Sequence, residues 1–174
     1  MKLFKVKVLY NPRKLKKIAY ESIAKRIISK GYYPNYDILK FENIINNNLS
    51  NRFKQKESLI KLRRVRSHEN KPFLISDVLI LNKKLKNIDR KIFEDSKDQN
   101  LLNILKKNLK FKYNYNEQIF YSSTLDKTES TILREPIYKP TLIIEWFFYD
   151  NDDQLLFIDK ETLTKSVKFK NFYV

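Results

Sequence analysis

Polar and apolar residues alternate from the start of the chain. Lys5 and Lys7 separate Phe4, Val6 and Val8, the period-two pattern of a half-buried strand with a basic outer face. Asn11-Pro12 then offers an N-cap followed by a first-turn proline. Leu15, Ile18, Ala19, Ile23 and Ile27 recur at helical spacing as far as Gly31, a residue suited to a left-handed helix stop. Tyr32 to Asn35 opens an extended or turning piece, and Asn46 to Asn48 and Ser50-Asn51 read as turns. Leu59 to Arg66 is predicted as a strand, although Leu59, Leu62 and Arg66 would also share a helix face. Phe73 to Leu81 suits a strand or a helix start, and a helical pattern runs from Val78, Leu81 and Leu85 to Ile88, Ile92 and Phe93. Asp98 is the expected cap of a helix carrying Leu101, Leu102, Leu105 and Leu109. Phe111, Tyr113 and Tyr115 alternate with Lys112, Asn114 and Asn116 as a strand.

Beyond this point the pattern is all β. Leu142 to Tyr149 forms an apolar strand, Asp150 to Asp153 a turn and Leu155 to Ile158 a returning strand, with Val167 to Tyr173 as a third. So apolar a meander needs something to pack on. The three aspartates of the turn lack the glycine and distal glutamate of a calcium loop, so they read as a plain turn. The element order predicts an α+β fold: a ferredoxin-like split βαβ core with a long basic hairpin over residues 1–116, plus a C-terminal β-meander extension over residues 117–174.

Charge sharpens this division. The 174 residues carry a net charge of +16. Residues 1–116 hold 29 Lys and Arg against 10 Asp and Glu, whereas 117–174 hold 7 against 10. A basic excess confined to one segment repels itself unless a polyanion meets it, and phosphate backbones are the commonest such partner. Other chemistries are thinly provided for. Cysteine is absent, which excludes disulfides and thiolate metal sites, and the single histidine, His68, disfavours a histidine metal site or triad. One glycine leaves no glycine-rich phosphate loop. Glu94-Asp95 is a carboxylate pair whose members would not face each other on a helix, and no nucleophile has an evident base, so an enzyme is not expected. No cofactor, metal, membrane or small-molecule substrate is indicated. Neither a secretory signal nor an arginine-rich presequence is visible, so the chain is expected to stay where it is made.

Three stretches carry a family resemblance. Val6 to Arg13 with the helix to Gly31, then Leu62-Arg63-Arg64-Val65-Arg66-Ser67-His68-Glu69-Asn70-Lys71, then Asp98 to Asn116, resemble in order the tenth protein of the small ribosomal subunit. The proline that the family carries between the serine and histidine is missing, and most of its proline-rich loop is absent. The resemblance implies a structural protein of the small-subunit head that binds ribosomal RNA through a basic hairpin and contacts neighbouring head proteins. It makes Lys54, Lys56, Lys61, Arg63, Arg64, Arg66, His68 and Lys71 the candidate RNA-binding residues. Arginine forks suit phosphate oxygens, and on a strand Arg64 and Arg66 would share one face with Arg63 on the other. The bland alternative is an edge strand guarded by charge. Tyr32, Tyr33 and Tyr36 could stack on bases, although aromatics more often serve a core. The A/T-rich-codon composition suits an organelle or a bacterium, and a mitochondrial ribosome is preferred to a bacterial cytoplasm. The alternatives are an accessory subunit of a respiratory complex or phage particle, and a free regulatory RNA-binding protein.

Overall fold

The computed structural model describes residues 6–9, 35–46, 52–82, 88–94, 100–109 and 112–164. The predicted helix ending at Gly31, the cap Asp98 and the strand from Val167 to Tyr173 lie outside them. The described residues form seven strands: β1 (Val6–Leu9), β2 (Asn35–Ile45), β3 (Ser58–His68), β4 (Lys71–Leu81), β5 (Tyr115–Thr124), β6 (Pro140–Tyr149) and β7 (Leu155–Leu163). Three helices accompany them: α1 (Arg90–Glu94), α2 (Leu101–Leu109) and α3 (Lys127–Leu133). All seven strands join one sheet in the order β1-β5-β6-β7-β4-β3-β2. Every neighbouring pair is antiparallel.

This architecture replaces the expected ferredoxin-like split βαβ core. The sheet is six long strands with a four-residue strand at one edge, and the described helices are few and short. The two expected meander strands that lie among the described residues, β6 and β7, belong to the same sheet as the basic β3–β4 hairpin. β7 lies between β6 and β4 and pairs with both. The boundary between 116 and 117 falls inside β5.

Local chemistry explains several elements. Glu69 and Asn70 form a two-residue β3–β4 turn with φ of 49° and 59°, the left-handed pair that matches strand twist. Asp150 closes the β6–β7 turn by accepting bonds from the amides of Asp152 (3.0 Å) and Gln154 (2.9 Å). The α2 cap among the described residues is Asn100, whose Oδ1 accepts from the Leu102 amide at 3.0 Å. The predicted helical run from Val78 does not form at its start, because β4 extends to Leu81. β4 and β7 are buried on both faces, so their apolar residues follow no clear period.

The sheet carries a core on each side. One face presents Ile60, Leu62, Leu74, Val78, Ile144, Phe148 and Phe157 to Phe93 of α1 and to Leu101, Leu102 and Leu105 of α2. Phe148 and Phe157 stack there with ring centroids 4.1 Å apart. The other face groups Leu59, Leu81, Ile119, Phe147 and Ile158 with Phe53, and Ile75 with Leu125 and Leu133 beneath α3.

Candidate functional site

A polar cluster interrupts the helix-covered core. On β3, Ile60, Leu62, Arg64 and Arg66 point to one face because side chains alternate along a strand. The two arginines therefore continue an apolar row inward, with only 1% of Arg64 and 4% of Arg66 exposed. Register then sets their neighbours. Arg64 lies opposite Ser76 on β4, Ser76 opposite Glu161 on β7, and Glu161 opposite Ile144 on β6. One rung along, Asp159 lies opposite Trp146. Directly opposed residues share a face, so two arginines, a serine, two carboxylates and an indole converge.

Hydrogen bonds join these groups in two sets. Arg64 Nη2 donates to Ser76 Oγ at 3.2 Å, and the Ser76 hydroxyl donates to Asp159 Oδ1 at 2.7 Å. Trp146 Nε1 donates to Glu161 Oε2 at 3.0 Å. The Arg64 guanidinium also sits over the Tyr36 ring, 5.5 Å from its centroid, and the Tyr36 hydroxyl donates to the Phe93 carbonyl. That bond ties β2 to α1 at the edge of the cluster.

Nε and Nη1 of Arg64 are buried and meet no acceptor among the described residues. A buried donor left in this condition costs about 1–3 kcal/mol, and more when charged. Burial also lowers the Arg64 pKa to about 10, with Arg66 adding to the effect and Asp159 opposing it. Arg64 is therefore a cation at neutral pH with two donors that no described residue accepts from. Burial pushes the Asp159 carboxyl up, against the pull of Arg64 and the Ser76 bond. Burial likewise pushes Glu161 up to about 7, helped by the charge of Asp159 and opposed by Arg66 and Trp146. The arrangement can present a planar fork to an anion in surroundings of low dielectric, where such contacts are strong. Among the described residues, no three His, Cys, Asp or Glu side chains are placed to hold a metal ion.

The sequence-predicted site residues do not form one surface. Lys54 and Lys56 flank a turn at one end of β3, while His68 and Lys71 flank the β3–β4 turn at the other. Eleven residues of strand separate the two ends, roughly 36 Å at the usual rise. Lys61 and Arg63 lie on the face opposite Arg64, where Arg63 Nε donates to Asp77 Oδ1 at 2.5 Å and Nη2 to Oδ2 at 2.9 Å. Arg64 and Arg66 are on one face as expected, but that face is the core. Tyr36 lies beside Arg64 and not on an open surface. Sequence patterns do not single out Ser76, Trp146, Asp159 and Glu161. Their signal is polarity in the wrong place: Asp159 and Glu161 stand two apart directly after the apolar run Leu155 to Ile158, and Ser76 with Asp77 interrupts Phe73 to Leu81.

Comparison with known proteins agrees with this geometry. The family model described as the UTRA domain matches residues 29–164. No curated protein matches the sequence. A structure described as the ligand-binding domain of a putative GntR-family transcriptional regulator from Bordetella bronchiseptica superposes with a TM-score of 0.72 at 14% identity, covering 81% of this chain and 89% of that one. The effector domain of PhnF from Mycobacterium smegmatis superposes with a TM-score of 0.66 at 11% identity, covering 82% of this chain and 87% of that one. Against a longer structure of PhnF the TM-score is 0.68 at 11% identity, covering 84% of this chain and only 64% of that one. At these identities the likeness is one of fold.

The family match overturns the ribosomal reading. It runs continuously through 29–164, across the point where the resemblance to the small-subunit protein ends. The expected ribosomal RNA and head-protein partners fall with it, as do the mitochondrial location and the accessory-subunit alternative. The expectation that no small molecule is a partner falls with the family match as well. The ribosomal resemblance rested on basic strands and glycine-ended helices, which many folds share.

Proposed function

The chain belongs to the UTRA domain family, and on that premise we propose that it is the effector-sensing part of a bacterial, cytoplasmic transcriptional regulator, binding a small anionic molecule through Arg64 and Arg66. The observation that carries this reading is the pair of buried arginine side chains, with two donors on Arg64 that face no acceptor among the described residues. A protein rarely retains such donors without use for them. An anion would accept from both at once and recover the free energy that their burial withholds. The fold supports the reading from another side, since the solved structures it resembles include ligand-binding and effector domains of regulators. In this reading the chain binds without transforming what it binds. DNA contact would belong to another domain of the regulator.

A thermal-shift screen against phosphorylated sugars, small carboxylates and uncharged sugars tests it. An effector at about 100-fold over its Kd stabilises the protein by about 2.7 kcal/mol. At least one anion should raise the melting temperature of the native chain and fail to do so in an R64Q/R66Q variant. Stabilisation by uncharged compounds alone, or equal stabilisation of the variant, would remove the reading.

A further inference from the structure

The two arginines are not the only charges in the cluster. Asp159 and Glu161 project from β7 onto the same rungs, one bound through Ser76 to Arg64 and the other bound to Trp146. The formal charges of the four side chains cancel when all are ionised. A dianion entering that set would leave it with two uncompensated negative charges in the core, a condition that burial strongly opposes.

We propose that Asp159 and Glu161 are the residues that decide which anions this site accepts and when: they are the built-in counter-charges of Arg64 and Arg66, and a permanently charged anion is bound together with a proton that settles on the carboxylate pair. The inference rests on the effector reading above and adds to it a selection rule.

The sign follows from the neighbours. Each carboxylate is held ionised by Arg64 and Arg66 on β3 and by a hydrogen bond from Ser76 on β4 or Trp146 on β6. Burial acts the other way, as does the mutual repulsion of Asp159 and Glu161, and Asp77 on the opposite face adds to it for Asp159. Tyr36 on β2 faces Arg64 and donates its proton to the Phe93 carbonyl. An anion on the guanidiniums cancels the field that keeps the carboxylates ionised, so their affinity for protons rises on binding. The proton comes from solvent. An effector that brings its own proton or a neighbouring donor, such as a monoprotonated phosphate ester, meets the same need without drawing on solvent.

Sulfate is the suitable probe, because it stays a dianion throughout the range of interest. Titration calorimetry of the full chain with sulfate, in buffers of different ionisation enthalpy, should show net proton uptake near pH 7.5. Sulfate affinity should fall about tenfold per pH unit above pH 7, the slope for one linked proton. E161Q should flatten that slope and bind sulfate about tenfold more tightly than the native chain at pH 8. D159N should also bind it more tightly there. Equal heats in all buffers, with neither variant gaining affinity, would overturn the proposal while leaving the arginine site intact, provided R64Q/R66Q abolishes sulfate binding. Sulfate binding that is absent, or indifferent to R64Q/R66Q, would instead bring down the effector reading and this inference with it. Should both β7 variants fail to fold, the buffer dependence of the native chain decides alone.

Discussion

Glu161 carries a pH dependence of stability that can be read from its surroundings. Its carboxyl is pushed from the ordinary 4.5 up to about 7 by burial first and by Asp159 second. A raised carboxylate means that the folded state holds a proton the unfolded chain has already released. Its contribution is therefore fully present below about pH 4.5 and is lost as pH rises to about 7. Taken over that window, the loss is on the order of 3 kcal/mol at 1.36 kcal/mol per pH unit. Glutamine cannot ionise, so E161Q should escape the loss. Urea unfolding at pH 5 and pH 8 should show the variant gaining on the native chain by an amount of that order, and parallel pH profiles would refute it. The same cluster shows how far a sequence alone can lead. Ile60, Leu62, Arg64 and Arg66 have one parity on a strand, but Leu59 and Val65 are apolar on the other, so the inner face is not marked. Only the shared face of the two arginines is legible. Their partners are not, because Asp159 and Glu161 reach them only through a pairing of strands far apart in sequence.

Helix α3 is held by signals that a local rule does identify. Asp126 Oδ1 accepts from the Glu129 amide at 2.7 Å, and Glu129 Oε2 accepts from the Asp126 amide at 3.2 Å, a complete capping box. The Asp-x-x-Glu spacing is plain in the sequence, although the apolar strand that follows is the louder pattern. Glu129 does more than cap. Its Oε1 accepts from Thr162 Oγ1 at 3.2 Å and lies 4.0 Å from Lys160 Nζ, so the helix is bonded directly to β7. D126A should cost about 1 kcal/mol, the usual worth of a cap. E129A should cost more, because it also leaves the buried Thr162 hydroxyl without its acceptor, at about 1–3 kcal/mol. Equal losses in chemical denaturation would mean that the link to the sheet contributes nothing. Strand β4 illustrates the opposite situation. Burial on both faces erases its period, so no local reading separates it from a helix. The β6–β7 turn is legible from its run of turn residues, whereas β3 alternates only from Ile60 to Arg63 and so leaves a helix open in sequence.

At the scale of the molecule, the division of charge and the division of structure do not coincide. The basic residues 1–116 contribute β1 to β4 and the first two residues of β5, and the acidic residues 117–174 contribute the rest of β5 with β6 and β7. β7 is the strand that joins the two halves of the sheet. It brings Asp159 and Glu161, from the acidic part, against Arg64 and Arg66, from the basic part, so part of the charge asymmetry is neutralised inside the protein. Nothing in local periodicity announces this, since strand order is fixed by which apolar faces fit together over long distances in the chain. The consequence for fragments is direct. A piece ending at residue 116 keeps β4 without β7, which exposes the edge of a strand apolar on both faces and strips two buried arginines of the β7 carboxylates. Such a fragment should show no cooperative thermal transition, whereas the intact chain should unfold in one step monitored by near-ultraviolet circular dichroism. Cooperative unfolding of the fragment would mean that β1 to β4 and the two helices before β5 form a self-sufficient core, and that the sheet does not depend on β7 for its integrity.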